Sequence, residues 1–461
     1  MKKNFITFKI ILFGFLAPLQ AQTWSVDSLP IPRTSVTVAT LESKIMLVGG
    51  TTEPLSTASI YDEGTKKWTN GTLSFREFKV KAVPIGNKVY CFQGFNANNE
   101  NSRNLDIYDT ANNTWQRDST PFIPYDVGAG AIGSKLFIVG GLEITQTAVN
   151  TLNTVRIYDT LTKKWTYTAS LSVARRDIQV VKVKNKLLFI GGFAENPRTA
   201  WDWTFYKNID IYDEITGMWS TVFMKTGRLN PSITVSGSKV LIVGGMDRLD
   251  FVSAAPTLFF TKTVEIYDVD NNTWQTADLP KPRVIQGIAT YDKKAYIICG
   301  STQDEINATR TPYKKMDVYD FTTNTWSEQP FPAFDFARSG ATVGLKNKIY
   351  FMGGVLETFQ RTNRIDILTL PPSSIFETSI LPNKLSTFPN PVSDELTLDF
   401  DKKDIKEYNL KITNALGQRV YTQQGIQENT LKIDVKNFNQ GLYFITVYTT
   451  KGLKSQTFIK Q

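Results

Sequence analysis

For most of its length the chain alternates between short apolar runs and polar segments rich in turn formers. Runs such as Lys44-Ile45-Met46-Leu47-Val48 and Lys135-Leu136-Phe137-Ile138-Val139 end on a glycine pair. Four to seven residues of this kind, bounded by glycine, read as strands rather than helices. After a variable segment comes a second apolar strand ending in Tyr-Asp, and a Trp follows seven positions after the Tyr. The pairs are Tyr61 and Trp68, Tyr108 and Trp115, Tyr158 and Trp165, Tyr212 and Trp219, Tyr267 and Trp274, Tyr319 and Trp326. The glycine pairs are Gly49-Gly50, Gly140-Gly141, Gly191-Gly192, Gly244-Gly245 and Gly353-Gly354, with Gly94-Phe95 and Cys299-Gly300 as degenerate copies. Seven units result, about 45 to 55 residues apart, which is the period of a propeller blade. Between Tyr-Asp and Trp, segments such as Asp109-Thr110-Ala111-Asn112-Asn113-Thr114 carry the chemistry of a tight hairpin.

The seventh unit has inner strands but no Trp after them. Its missing piece stands at the other end of the repeats, where Trp24-Ser25-Val26-Asp27-Ser28-Leu29-Pro30 reads like Trp326-Ser327-Glu328-Gln329-Pro330. The N-terminal strand is therefore expected to complete the last blade, removing an exposed sheet edge and tying the ring together. The repeat, over about residues 23–370, resembles the kelch repeat. The fold class expected is all-β: a seven-bladed kelch-type β-propeller followed by a small β-sandwich.

Beyond Leu370 a Pro-Pro-Ser-Ser stretch opens a linker. The expected order is a leader over 1–21, a propeller over 22–370, a linker over 371–382 and a second domain over 383–461. Phe388-Pro389-Asn390-Pro391-Val392, Leu396-Thr397-Leu398, the run from Leu410 to Val420, Gly441 to Val447 and Gly452 to Lys460 read as its strands. In order, they resemble the C-terminal sorting domain of the type IX secretion system. That resemblance implies passage across an outer membrane, the secretion machinery as partner, and a cargo released or held at the cell surface. An immunoglobulin-like binding sandwich is the alternative for this segment.

The leader bears on that expectation. Met1-Lys2-Lys3, an apolar stretch from Ile10 to Ala17 and Leu19-Gln20-Ala21 have the layout of a cleavable secretory signal. No later stretch approaches the roughly 20 apolar residues needed to span a bilayer as a helix. The formal charge is +9, and three of those cations, Lys2, Lys3 and Lys9, lie in the leader. The rest carries a small excess without a long Lys/Arg run, which argues against nucleic acid as a partner. Histidine is absent from all 461 residues. This excludes His-activated nucleophiles and His-ligated metals, including the copper site of oxidases built on seven kelch blades. Cys91 and Cys299 lie in apolar strands of units that are not neighbours and are read as buried core residues. With no phosphate loop, Cys/His cluster or calcium loop, no cofactor is expected.

Two features point to a ligand site where loops surround the channel mouth. One is an Arg about 16 residues before the glycine pair: Arg33, Arg175, Arg228, Arg283 and, one residue off, Arg338, with Arg76 a looser match. The third unit breaks the column with Pro124-Tyr125-Asp126. A ring of guanidiniums suits a carboxylate or sulfate; the alternative is a structural Arg bonding loop carbonyls of the next blade. The other feature is the long segment between second and third strands of units four to six, with Trp201, Trp203, Phe205, Tyr206, Phe251, Phe259, Phe260 and Tyr313 among charged residues. Rings beside charges suit sugars, and packing of the loops onto the propeller is the alternative. The expected function is a non-catalytic exported binding protein for a glycan or a protein. The alternative is a sugar-active enzyme like the kelch-type sialic-acid epimerases and mutarotases, which have six blades.

Overall fold

The computed structural model describes residues 22–461 apart from 51–54, 78–79, 94–101, 146–147, 168–169, 196–202, 251–256, 284, 286, 299, 304–309, 314, 332–335, 339, 357–359, 372–384, 402–405, 415–418 and 450–451. The leader, nearly all of the linker, Trp201 and Cys299 therefore lie outside the described residues. The chain divides into two compact units, Met1–Pro371 and Pro372–Gln461.

In the first unit the described residues form seven four-stranded antiparallel sheets. The fourth blade shows the pattern: Gln179–Val183, Lys186–Ile190, Asn208–Asp213 and Trp219–Phe223, in that order from axis to rim. The first strand of each blade touches the first strands of the blades on either side, from Thr37–Leu41 around to Ala341–Leu345 and back. The ring is closed as the sequence predicts. Thr23–Ser28 pairs with Arg364–Thr369 along its whole length, Trp24 opposite Leu368. The Trp24 ring packs edge-on to Phe331 at 5.2 Å and beside Phe351 at 5.7 Å.

The Tyr-to-Trp spacing has a direct cause. Each Tyr stands opposite its Trp across the hairpin of third and fourth strands, as in Tyr108 with Trp115 and Tyr267 with Trp274. Ring centroids lie 5.0 and 4.7 Å apart, in the range where aromatic pairs add about 0.5–1.5 kcal/mol beyond buried area. The Asp after the Tyr accepts N–H bonds from two residues further on, as Asp109 does from Ala111 at 3.0 Å, and so shapes the turn. The Tyr hydroxyl reaches the turn's Asn, Tyr267 to Asn272 at 3.0 Å, and that Asn holds φ 52°. Apolar residues of neighbouring sheets merge into shared cores; Tyr61 and Ile45 of the first blade pack with Tyr350 and Met352 of the seventh.

The second unit is a β-sandwich. A three-stranded sheet (Leu385–Phe388, Glu395–Phe400, Thr430–Asp434) and a four-stranded sheet (Arg419–Ile426, Tyr408–Asn414, Gly441–Thr449, Gly452–Lys460) share one core containing Leu398, Phe400, Ile412, Ile445 and Phe458. One detail differs from the sequence reading: the strand stops at Phe388, because Pro389 and Pro391 have no N–H to give a ladder. Asn390 between them ties this corner to the last strand, accepting the Ile459 N–H at 2.9 Å.

Candidate functional site

The arginine column is a set of internal staples. Arg33, Arg175, Arg228 and Arg283 are at most 1% exposed. Each backbone carbonyl lies against a glycine of the preceding blade: Gly141 donates its N–H to Arg175 O at 3.1 Å, and Gly354 donates to Arg33 O at 2.7 Å. Each guanidinium turns into its own blade. Arg33 donates to Gly49 O at 3.0 Å, Arg175 to Gly191 O at 2.8 Å and Arg228 to Gly244 O at 3.1 Å. The approach explains the glycine pairs. Gly353 holds φ 65°, and a Cβ there would stand 2.4 Å from Arg33 O.

A second column, unread in the sequence, completes the staples. Two residues before the repeat Tyr, on the third strand, stand Ser59, Asp106, Arg156, Asp210, Glu265 and Asp317, with Asp366 at the equivalent place in the seventh blade. In blades four, five and six the carboxylate neutralises the incoming guanidinium. Arg175 bonds Asp210 at 2.8 Å, Arg228 bonds Glu265, and Arg283 bonds Asp317. Burial pulls Arg175 and Arg228 below the ordinary arginine range, and their carboxylates oppose this. In the first blade the column holds Ser59, so Arg33 is buried beside a hydroxyl instead, and desolvation lowers it to about 10. In the second blade Asp106 takes the Ser74 N–H at 2.7 Å. In the seventh, Arg364 bonds Asp366 at 3.0 Å, yet burial outweighs it and raises that carboxyl to about 6.

The expectation that these arginines ring an open mouth gives way here. Arg33, Arg175, Arg228 and Arg283 face the blade interior and bond their own blade, not the next, with carbonyls, a hydroxyl or a carboxylate of that blade as acceptors. Arg338 lies on a short strand opposite Val355, and its side chain is outside the described residues. Tyr313, 8% exposed, stacks under Arg283 at 4.0 Å and donates its hydroxyl to Asp317 at 3.1 Å. Trp203 is half-buried on the fourth blade's hairpin, stacked on Phe193 at 4.8 Å. The other face of this assembly is Arg176, 4.3 Å above the Phe193 ring and bonded to Asp126 at 2.6 Å and to Glu195. Tyr206 is half-buried at the hairpin's foot, its N–H on Gly192 O at 2.9 Å.

The third blade is built differently. Its loop supplies Tyr125 rather than Arg, and its strand supplies Arg156 where the first blade holds Ser59 and the others hold an acid. Between that loop and the hairpin Leu142–Ile144 with Val149–Thr151 lies a cavity of about 330 Å³. Phe122, Tyr125 and Leu142 form apolar walls, and Arg103, Glu143 and Arg156 are the charged groups. The Arg156 guanidinium stacks on Phe122 at 4.3 Å. Burial lowers its pKa, offset by the Tyr167 hydroxyl and by Glu143. Its Nε is buried without a hydrogen-bond partner, and among the described residues Arg156 makes no ion pair. Asp126, one residue from Tyr125, is taken by Arg176. The signal for this site was in the sequence as the third unit's break in the Arg column. It lacked force without the strand column, which only the register aligns.

Comparison with known proteins agrees with this architecture. Residues 35–245 match the KLHDC2/KLHL20/DRC7 Kelch-repeats domain, residues 227–277 the Kelch motif, and residues 386–461 the secretion system C-terminal sorting domain. Kelch-like protein terF of Aspergillus terreus is 26% identical over 212 residues, 44% of each chain. Kelch-like protein 25 of Xenopus tropicalis is 27% identical over 223 residues, 46% of this chain and 34% of that one. Spermatocyte protein spe-26 of Caenorhabditis elegans is 34% identical over 106 residues, 23% of this chain and 17% of its own. The match thus spans less than half the length of each relative. The repeats, the closed ring of sheets and the C-terminal sandwich converge on one assignment: the chain is a kelch-repeat protein carrying a C-terminal secretion-system sorting domain.

Proposed function

We propose that this exported kelch protein is a binding protein that takes a saccharide at the third blade's cavity, on the face formed by the interblade loops and the hairpins between second and third strands. Export itself follows from the sorting domain, which indicates type IX secretion to the cell surface or the extracellular space. A cleaved leader over 1–21 and a linker over 371–382 belong to the same proposal. The observation that carries the binding reading is the cavity. At about 330 Å³ it lies at the small end of ligand sites, which run from about 300 to 1,000 Å³. Aromatic walls for sugar C–H faces stand beside charged groups for hydroxyls.

The test is a glycan array probed with the exported chain, followed by calorimetry. Tyr125→Ala is expected to weaken the array's best ligand about ten-fold, from loss of ring contact area, with thermal unfolding little changed because Tyr125 is only half-buried. Clean negatives across the array with folded protein would sink the reading.

A further inference from the structure

The two columns of the propeller make an internal comparison. In blades four to six a guanidinium from the loop meets a carboxylate from the third strand, and the two are buried together as an ion pair. In the third blade both columns change together. The loop has no Arg, and the strand carries Arg156 in the register place of Asp210 and Glu265. The polarity of the pair is reversed and its acidic half is missing. What occupies the missing half is open volume, the cavity on which the proposed function rests. Arg33 of the first blade also lacks a carboxylate, but it is 1% exposed and closed off. Arg156 is only half-buried and lines a cavity that a solute can enter.

We propose that the carboxylate absent from the third blade is supplied by the ligand: the site takes a saccharide bearing a carboxylate, which docks on Arg156. The guanidinium presents donors in a planar fork that matches a carboxylate. Its stacking on Phe122 fixes the plane of that fork and keeps water from one side. Arg103 at the cavity wall adds a second cation, while Glu143, exposed at the lip, is placed to accept from sugar hydroxyls. A saccharide suits the enclosure better than a peptide, since the cavity is compact and walled by rings rather than an extended groove.

The experiment titrates the exported chain with glucuronate- and galacturonate-terminated disaccharides, each beside its methyl ester, which keeps shape and removes the charge. The acid is expected to bind about ten- to a hundred-fold more tightly than the ester, with the preference fading as salt rises. Arg156→Gln should abolish the preference of acid over ester, and Arg156→Lys should restore part of it. The wild-type comparison needs no variant, so a misfolded mutant does not spoil it. Equal binding of acid and ester, or an acid preference that survives Arg156→Gln, overturns this inference and leaves saccharide binding standing. Binding of an acidic tetrapeptide in preference to every disaccharide overturns it as well. If no saccharide binds at all, both the inference and the functional reading fall.

Discussion

Arg175→Met separates a structural arginine from a ligand-binding one. The guanidinium is fully buried and makes four bonds: to Gly191 O at 2.8 Å, Val173 O at 3.2 Å, Phe189 O at 3.2 Å and Asp210 Oδ2 at 2.8 Å. Met fills much of the stem's volume but leaves the Asp210 charge buried without its cation. Breaking a buried pair in this way costs about 3–5 kcal/mol. Asp210 keeps bonds from Ser172 N at 3.2 Å and Thr221 Oγ1 at 2.7 Å, which places the expected loss in the lower half, about 3–4 kcal/mol. At roughly 2 °C per kcal/mol for a domain of this size, the melting temperature should fall by about 6–8 °C. Differential scanning calorimetry reads it. Adding Asp210→Leu to the same chain should recover most of the loss, because a well-packed apolar pair replaces a broken ionic one at little cost. A change under about 1 °C for the single variant, or a loss of ligand affinity with unchanged stability, would refute the staple and return Arg175 to the candidate binding groups.

Two further outcomes follow from the ring's closure. Burial alone would raise the Glu63 carboxyl, but bonds from Lys66, Tyr350 and Lys348 hold it at about 2, against an ordinary 4.5. A depressed carboxylate contributes stability above its unfolded pKa and loses it as pH falls through the folded one. The seventh-to-first blade contact should therefore weaken between about pH 4.5 and pH 2, and a pH series of melting curves should be flatter over that window for Glu63→Gln than for the wild type. Trp24→Ala removes a half-buried ring packed on Phe331 and Phe351; a loss of about 2–3 kcal/mol is expected, below the 3–5 of a fully buried Trp, and size-exclusion chromatography should show association through the loosened edge of Arg364–Thr369.

The propeller was legible along the chain because its determinants are local and repeated. Apolar runs, glycine pairs and the Tyr-to-Trp interval recur seven-fold or nearly so, and each is set by hairpin geometry within one blade. Even closure by the N-terminal strand could be read, since Trp24 copies a position the seventh unit lacks. The sandwich strands were likewise visible, apart from the corner at Pro389 and Pro391, where missing donors stop the ladder.

The candidate site divides along another line. Composition alone excluded every His-dependent chemistry, and the Arg column was plain, but its direction was not. Whether a guanidinium faces a ligand or its own blade depends on what lies opposite it, and the opposing carboxylates come from a strand about 35 residues away: Asp210 for Arg175, Glu265 for Arg228, Asp317 for Arg283. The sequence by itself determined the number of sheets, their order and the chemistry the chain forgoes. Only the tertiary structure decided which charges cancel inside the protein, because pairing between strands far apart in sequence sets desolvation and partners at once; it left Arg156 lining a cavity, with no carboxylate of a loop or strand paired to it as Asp210 is to Arg175.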